Sequence, residues 1–494
     1  MAAESISRRS LLGLAWVGVA AAGRVVSQLL VQIVLARLLG PDAFGQFALI
    51  MTIIGLCCML ADLGLGAAMV QKAELSPADI SLTLGFTTLS ALGWAVLLVM
   101  SAPAWSELIG APELGPMALL AACVVVLLAW RNIAWNLLRR DLRIRDSQLV
   151  DLVGYLFVFG GVSVVLAIHG FGAWSLLIGL ACNALYSLLA TYALCRHTLR
   201  PRLSGDTKLL RFGLTTLGND LMVWVSGSLD RVIVGRNWGM EALGCFAVAS
   251  NLVRAPTALA LESLQGLIFA SGSRLQHDAA ALRRGFSLAA SASMVATLPA
   301  MVLLALEAER VVEFVYGKAW LAAAPAVAAL AISVPFLSAA VLATSILRAK
   351  GAASGEFGIQ AACAALLVAG LVALAGWPLA QAVWWITGVA ALRAALLVGK
   401  VLSRLQLRLV DLIRDCRGAL LLAACVGLTA LLVRFTQSIA TGTSSWAPLL
   451  SGSGLAILLL WVRPRTFLGS GLTQFLHLRL SSRPSWSWLA GRLA

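Results

Sequence analysis

The chain has 494 residues, of which 60% are hydrophobic and 12% charged. Soluble domains carry roughly 45–50% apolar and about 25% charged residues, so this balance excludes an ordinary soluble enzyme and identifies a polytopic membrane protein. The formal net charge of +15 would suit nucleic acid in a soluble chain. Here the basic residues sit in short gaps between apolar runs, so topology accounts for them and no nucleic-acid partner is expected.

The N-terminus, SRRSLLG at 7–13, superficially resembles a twin-arginine export signal. The apolar run that follows continues to Leu39, too long for a cleaved signal, so Arg8 and Arg9 read as the cytoplasmic anchor of a first helix. Apolar spans of about 20 residues follow one another with breakers between them. They are predicted at 11–36, 44–70, 80–102, 116–138, 148–168, 172–194, 212–234, 240–266, 286–306, 321–347, 357–376, 379–400, 418–435 and 445–463. The expected fold is all-α and polytopic, with about 14 transmembrane helices.

Lysines and arginines set the orientation. Arg139, Arg140, Arg143 and Arg145 fall on the same side as Arg196, Arg200, Arg202, Lys208 and Arg211. Lys400, Arg404, Arg408, Arg414 and Arg417 join them, which places this side and both termini in the cytoplasm. The longest outside loop, from Glu307 to Trp320, is too short to fold as a domain. Beyond Arg463 the tail holds no acid. Two readings of it stand, an interfacial segment on anionic lipid and a disordered basic tail.

Residues 36–50, ARLLGPDAFGQFALI, return at 235–249 as GRNWGMEALGCFAVA, at an offset of about 199 residues. Arg37 matches Arg236, Gly40 matches Gly239, Asp42 matches Glu241, and Gly45 matches Gly244. Six spans separate the copies, so both point the same way, as in parallel repeats related by an axis along the membrane normal. The expected division is a lobe at 1–200, a lobe at 201–400, two further helices at 401–463 and a basic tail at 464–494, with loop 195–211 as the junction. In the turn GPDAFG, Gly40 is expected to end one helix in a left-handed conformation, Pro41 to block its continuation, and Asp42 to cap the next helix at Ala43.

A charged side chain inside a bilayer costs about 2.5–3.5 kcal/mol on insertion scales, so each needs a reason. Arg24 is central in the first span with Gln28 and Gln32 on the same face, and Arg254 is central in the eighth, three residues after Asn251. Two readings stand for both arginines: the lining of a water-filled cavity, or structural ion pairs with Asp62, Asp220 or Glu262. Arg131, with Asn132 and Asn136 nearby, either joins such a cavity or snorkels inward. Asp230 and Arg231 are either a helix-end pair or part of the polar interior. Arg393 reads as snorkelling, because Lys400 lies two turns on. Arginines in an aqueous cavity suit a phosphorylated or otherwise anionic cargo, since guanidinium stays charged and grips phosphate oxygens bidentately. The acids Asp62, Asp220 and Glu262 are candidates to carry a coupling proton, because desolvation favours their neutral form.

Nine cysteines and four histidines are scattered without a C-x-x-C or zinc spacing, so no metal and no cofactor are expected. No G-x-x-x-x-G-K-[ST] occurs, which excludes a P-loop pump. A membrane glycosyltransferase or polysaccharide polymerase would need catalytic residues on a sizeable outside loop, and none is long enough.

ARLLGPDAFGQFAL followed by ADLGLGAAMVQ resembles the start of bacterial oligosaccharide flippases of the polysaccharide transporter family. RRDLRIRDSQLVDLVGY (139–155) and GFGAWSL (170–176) share that resemblance. The segment 212–256, from FGLTTLGND to NLVRAP, is similar to the second-half opening of the colanic-acid and exopolysaccharide type. The likeness covers roughly 8–400. It implies the multidrug/oligosaccharidyl-lipid/polysaccharide exporter superfamily: two six-helix lobes around a central cavity, related by a pseudo-two-fold along the membrane normal, plus two C-terminal helices. It also implies alternating access and, as cargo, a polyprenyl-diphosphate-linked oligosaccharide turned from the cytoplasmic to the periplasmic leaflet of the bacterial inner membrane. Membrane lipids, a polysaccharide polymerase and chain-length machinery would be partners. Related lipid II flippases place cavity arginines on the diphosphate, and Arg24 and Arg254 are the counterparts by chemistry and depth. A drug or lipid exporter of the same superfamily is the alternative, separated by the charge of the cavity.

Overall fold

The computed structural model describes residues 23, 25–72, 74–203, 207–274, 279–349, 353–440, 446–468 and 473. Among them every regular element is helical, as the apolar runs require where no water satisfies backbone groups. Each expected span overlaps a described helix or one arm of a bent one, and ten of the helices are long and apolar enough by themselves to cross a membrane.

The chain divides into two compact units, 1–248 and 249–494. The first holds helices Val25–Leu38, Pro41–Asp62, Leu65–Gln71, Pro77–Ile109, Ala118–Arg140, Ile144–Ile168 and Ala173–Leu194. It ends within Thr207–Arg274, a little beyond the bend at Gly239 (φ 84°, ψ 175°), a backbone conformation that excludes most other residues. The second unit contains the rest of that helix from Ala249, then Ala279–Leu306, Ala308–Tyr316, Ala324–Ala349, Ala353–Ala373, Leu379–Leu405, Leu409–Ala440 and Ala447–Val462.

Helix Pro77–Ile109 shows why these sequences pack in lipid. Thr87, Ala91, Ala95, Leu98 and Ala102 are buried, whereas Leu89, Leu92, Val96 and Met100 are exposed. Small residues bring helices close, and the large apolar ones are left for the acyl chains. A capping box between Ser76 and Asp79 starts this helix, with Lys72 Nζ 2.7 Å from Asp79. In the second unit, Ala324–Ala349 is the most enclosed span, and Thr387 donates to the Ala329 carbonyl at 2.8 Å to tie a neighbour to it.

Two local expectations are corrected. Gly40 is extended (φ −75°, ψ 171°) and not left-handed, and the helix begins at Pro41 without a side-chain cap from Asp42. A residue before proline is pushed out of the helical region, while proline's fixed φ suits the first helical position. The expected span 44–70 is also broken. Leu63 (φ 52°) and Gly64 (φ 69°) turn the chain between Asp62 and Leu65. A Cβ on Gly64 would lie 2.2 Å from the Gly213 carbonyl oxygen, so this break seats the start of the long helix.

Loop 195–203, within the expected junction, is tethered. Arg202 N–H donates to the Ser81 carbonyl at 2.9 Å, and the Ser81 and Thr198 hydroxyls are 3.1 Å apart.

Candidate functional site

In the first unit, the break after Asp62 creates a polar centre. Asn132 donates to one Asp62 carboxylate oxygen at 2.7 Å and the Gly66 N–H to the other at 3.2 Å. Gly66 leaves the space this needs, because a Cβ there would stand 2.5 Å from the Asn136 amide nitrogen. Asp220, exposed on the long helix, lies close enough to act electrostatically on Asp62. Asp62 and Asp220 are therefore brought together, although nearly 160 positions separate them in the chain.

Arg131 pairs with Asp151, and its guanidinium lies 5.7 Å from the Trp135 ring centroid. Its Nε is buried with no partner, which leaves one donor unspent. Neighbouring arginines of the RRDLRIRD segment hold helix ends. Arg140 donates to the carbonyls of Met69, at 2.6 Å, and Lys72, while Arg143 donates to Leu194 at 2.9 Å. These contacts satisfy last-turn carbonyls that have no partner within their own helix.

On Val25–Leu38, Gln28 is half-buried, and the Gln32 amide nitrogen is buried with no partner. Arg24 lies outside the described residues. Glu262 is on the long helix, but its side chain is also outside the described set, as is that of Gln265. Asp230 is buried, and its carboxylate accepts from the Arg231 N–H at 2.8 Å.

In the second unit, Asn251 is exposed and Arg254 half-buried. Arg393 shows a feature the spacing did not suggest. It sits in the middle of Leu379–Leu405, its Nε is enclosed without a partner, and it experiences the positive charge of Arg254. Spacing to Lys400 suggested snorkelling, and the enclosed Nε is a constraint that spacing along one helix does not contain. Positive charge acting on an enclosed guanidinium is chemistry that an anionic acceptor could relieve.

At the other end of the first unit, the two copies of the repeat touch. A Cβ on Gly45 would lie 1.7 Å from the Met240 carbonyl oxygen, and one on Gly244 would lie 1.8 Å from that of Pro41. Under the repeat offset, Gly45 corresponds to Gly244 and Pro41 to Met240, so each contact is the image of the other. Gln46 joins this rim by donating to Asp42 at 2.8 Å and to Glu113 at 2.9 Å. Asp42 also experiences the charge of Glu241, its repeat counterpart.

The sequence profile described as "polysaccharide biosynthesis protein" matches residues 34–325. The succinoglycan biosynthesis transport protein ExoT of Rhizobium meliloti (strain 1021) is 26% identical over 304 residues, 61% of this chain and 61% of its own length. The lipopolysaccharide biosynthesis protein WzxC of Escherichia coli (strain K12) is 22% identical over 327 residues, 64% of this chain and 65% of its own. The chain thus spans less than two thirds of these relatives. Among solved structures, lipid II flippase MurJ in an inward closed conformation superposes with a TM-score of 0.71 at 14% identity, covering 90% of this chain and 98% of that one. An inward-facing multidrug resistance transporter of the MOP superfamily superposes at 0.62 with 15% identity, covering 78% and 94%. At such identities the likeness establishes the fold, which is the two-lobe architecture expected from the sequence.

Proposed function

The chain belongs to the polysaccharide biosynthesis protein family, and we propose that it is a flippase for polyprenyl-diphosphate-linked oligosaccharide repeat units. It moves them from the cytoplasmic to the periplasmic leaflet of the bacterial inner membrane, for exopolysaccharide or surface polysaccharide assembly. The observation that carries this reading is the Arg254–Arg393 neighbourhood inside an apolar bundle. A diphosphate headgroup supplies the anionic oxygens such a pair attracts, whereas a cationic drug would be repelled. Arg24, Gln28, Asn251 and the free Nε of Arg131 are the further contacts assigned to the cargo.

In this reading the functional lobes are 1–200 and 201–400, and both termini face the cytoplasm. The cargo enters from the side bearing Arg140, Arg143, Arg404 and Arg408. Parting of the Gly45–Gly244 contact then opens the opposite side. A polymerase and chain-length machinery receive the product.

The decisive experiment deletes the gene and measures the leaflet distribution of radiolabelled polyprenyl-linked oligosaccharide in spheroplasts. Accumulation on the cytoplasmic leaflet is expected, and a normal distribution with intact surface polysaccharide would refute the proposal. A second measurement addresses coupling. Neutralising Asp62, Asp220 and Glu262 as Asp→Asn and Glu→Gln should lower flipping on the order of tenfold or more and flatten its pH dependence, because proton carriage through a membrane needs a titratable group. Unchanged rate and pH profile would remove these acids from the mechanism.

A further inference from the structure

A cavity of about 530 Å³ lies in the second unit, lined by Leu306, Glu307, Glu309, Arg310, Glu313, Leu321 and Arg434. Its volume falls within the roughly 300–1,000 Å³ typical of ligand pockets. It sits where Ala279–Leu306 ends, beside the far end of Leu409–Ala440. The opposite ends of the same helices carry Arg283, Arg284, Arg414 and Arg417, so in the flippase reading, on which its side of the membrane rests, the cavity faces the periplasm.

The cavity is built by the segment Glu307–Trp320, which folds across the bundle end. Val312, Tyr316 and Trp320 are buried and anchor it, which leaves Glu309 and Glu313 exposed one turn apart. Like charges at that spacing destabilise a helix, so folding alone does not favour this face. Glu307 is the informative residue. Its side chain is 1% exposed, one carboxylate oxygen accepts from Arg310, and the other is buried with no partner. Arg434 is fixed alongside by donating to the Leu306 carbonyl at 3.1 Å. On the same short helix, Phe314 makes an edge contact with Trp446 at 4.8 Å, and both rings are exposed.

Three carboxylates and two guanidiniums supply acceptors and donors in nearly equal measure. A polyanion meets more negative than positive charge here, and among the described residues no group of acids has the arrangement of a metal site. A neutral polyol both donates and accepts, and one of its hydroxyls can satisfy the orphan oxygen of Glu307. We propose that this cavity is a saccharide-binding subsite on the outer rim of the second unit. Its two sources of ligand are the sugar end of the exported cargo and a free periplasmic glycan.

The test uses the full-length chain in lipid nanodiscs and saturation-transfer difference NMR with cellobiose, lactose and maltose as probes. At least one disaccharide should bind, with affinity on the order of millimolar. Glu307→Gln should weaken binding about tenfold, because it alters the buried acceptor. Glu309→Ala, at an exposed position that does not hold the fold, should also weaken it. Displacement of the sugar by nanodisc-embedded undecaprenyl-diphosphate-N-acetylglucosamine supports the subsite and identifies the cargo as its source. Persistence of the bound sugar supports it with a soluble glycan. No bound sugar, binding indifferent to both variants, or uptake of magnesium or pyrophosphate instead would overturn the proposal. The readout is binding rather than translocation, so it can fail while the leaflet assay succeeds, and the reverse.

Discussion

Arg254→Ala should leave cells with the surface polysaccharide level of the gene deletion, with lipid-linked precursor retained on the cytoplasmic leaflet. Hydrogen bonds to charged groups contribute about 1.5–3 kcal/mol each, so losing a two-pronged grip on a diphosphate lowers flipping on the order of 10²- to 10⁴-fold. Arg254→Lys keeps the charge but not the fork, and should fall between. Arg393→Ala should act in the same direction, because the two guanidiniums share one neighbourhood. Leaflet distribution in spheroplasts is the measurement, with thermal stability of the purified variants as control. A residue kept for its cargo is missed chiefly in transport, so activity should fall far out of proportion to any change in melting temperature. If Arg254→Ala flips normally, or if it loses stability in proportion to activity, Arg254 is a structural ion-pair member and the cargo site lies elsewhere.

Gly45→Val should stop turnover by a different route. Its Cβ alone would stand 1.7 Å from the Met240 carbonyl oxygen, and backbone cannot yield as a flexible side chain would. The two helices must part at this rim. Overpacking of this kind costs about 1–3 kcal/mol, enough to shift a balanced pair of conformations by roughly fivefold to more than a hundredfold. The chain should insert and fold, because each helix keeps its own hydrogen bonds, yet spend its time with the rim open. Ala43→Cys, half-buried in this structure, should then react faster with a membrane-impermeant maleimide applied from outside when Gly45→Val is present. Unchanged labelling together with normal flipping would show that the contact does not gate. Gly244→Val should reproduce both effects, since it strikes the same contact from the other side.

The spans and most of their ends were legible in the sequence, because length and hydropathy alone specify a helix in lipid. Gly239 marked a true bend. Gly40 misled, because the proline after it decides its conformation more strongly than the helix before it. The echo between 36–50 and 235–249 revealed duplication, and the structure adds which atoms of the two copies touch. The partnership of Asp62 with Asn132, and the electrostatic influence of Arg254 on Arg393, link side chains far apart in the chain. No linear spacing records them. The segment from Glu307 to Trp320 looked too short to matter, and it was too short for a domain. Buried anchors at Val312, Tyr316 and Trp320 nonetheless let it roof a cavity.

The reciprocity of Gly45 and Gly244 also bears on ancestry. A contact that maps onto itself when its halves are exchanged is the internal form of an isologous dimer interface. Two identical half-length chains could have made it before any linker joined them, and fusion through the loop near 200 would have preserved it. Once fused, most positions of the halves were released to diverge, as the replacement of Pro41 by Met240 illustrates. The paired glycines were not released, because each is the space into which the other's helix fits. A side chain added at either one must be answered at the other, so this pair binds the two halves to a shared constraint.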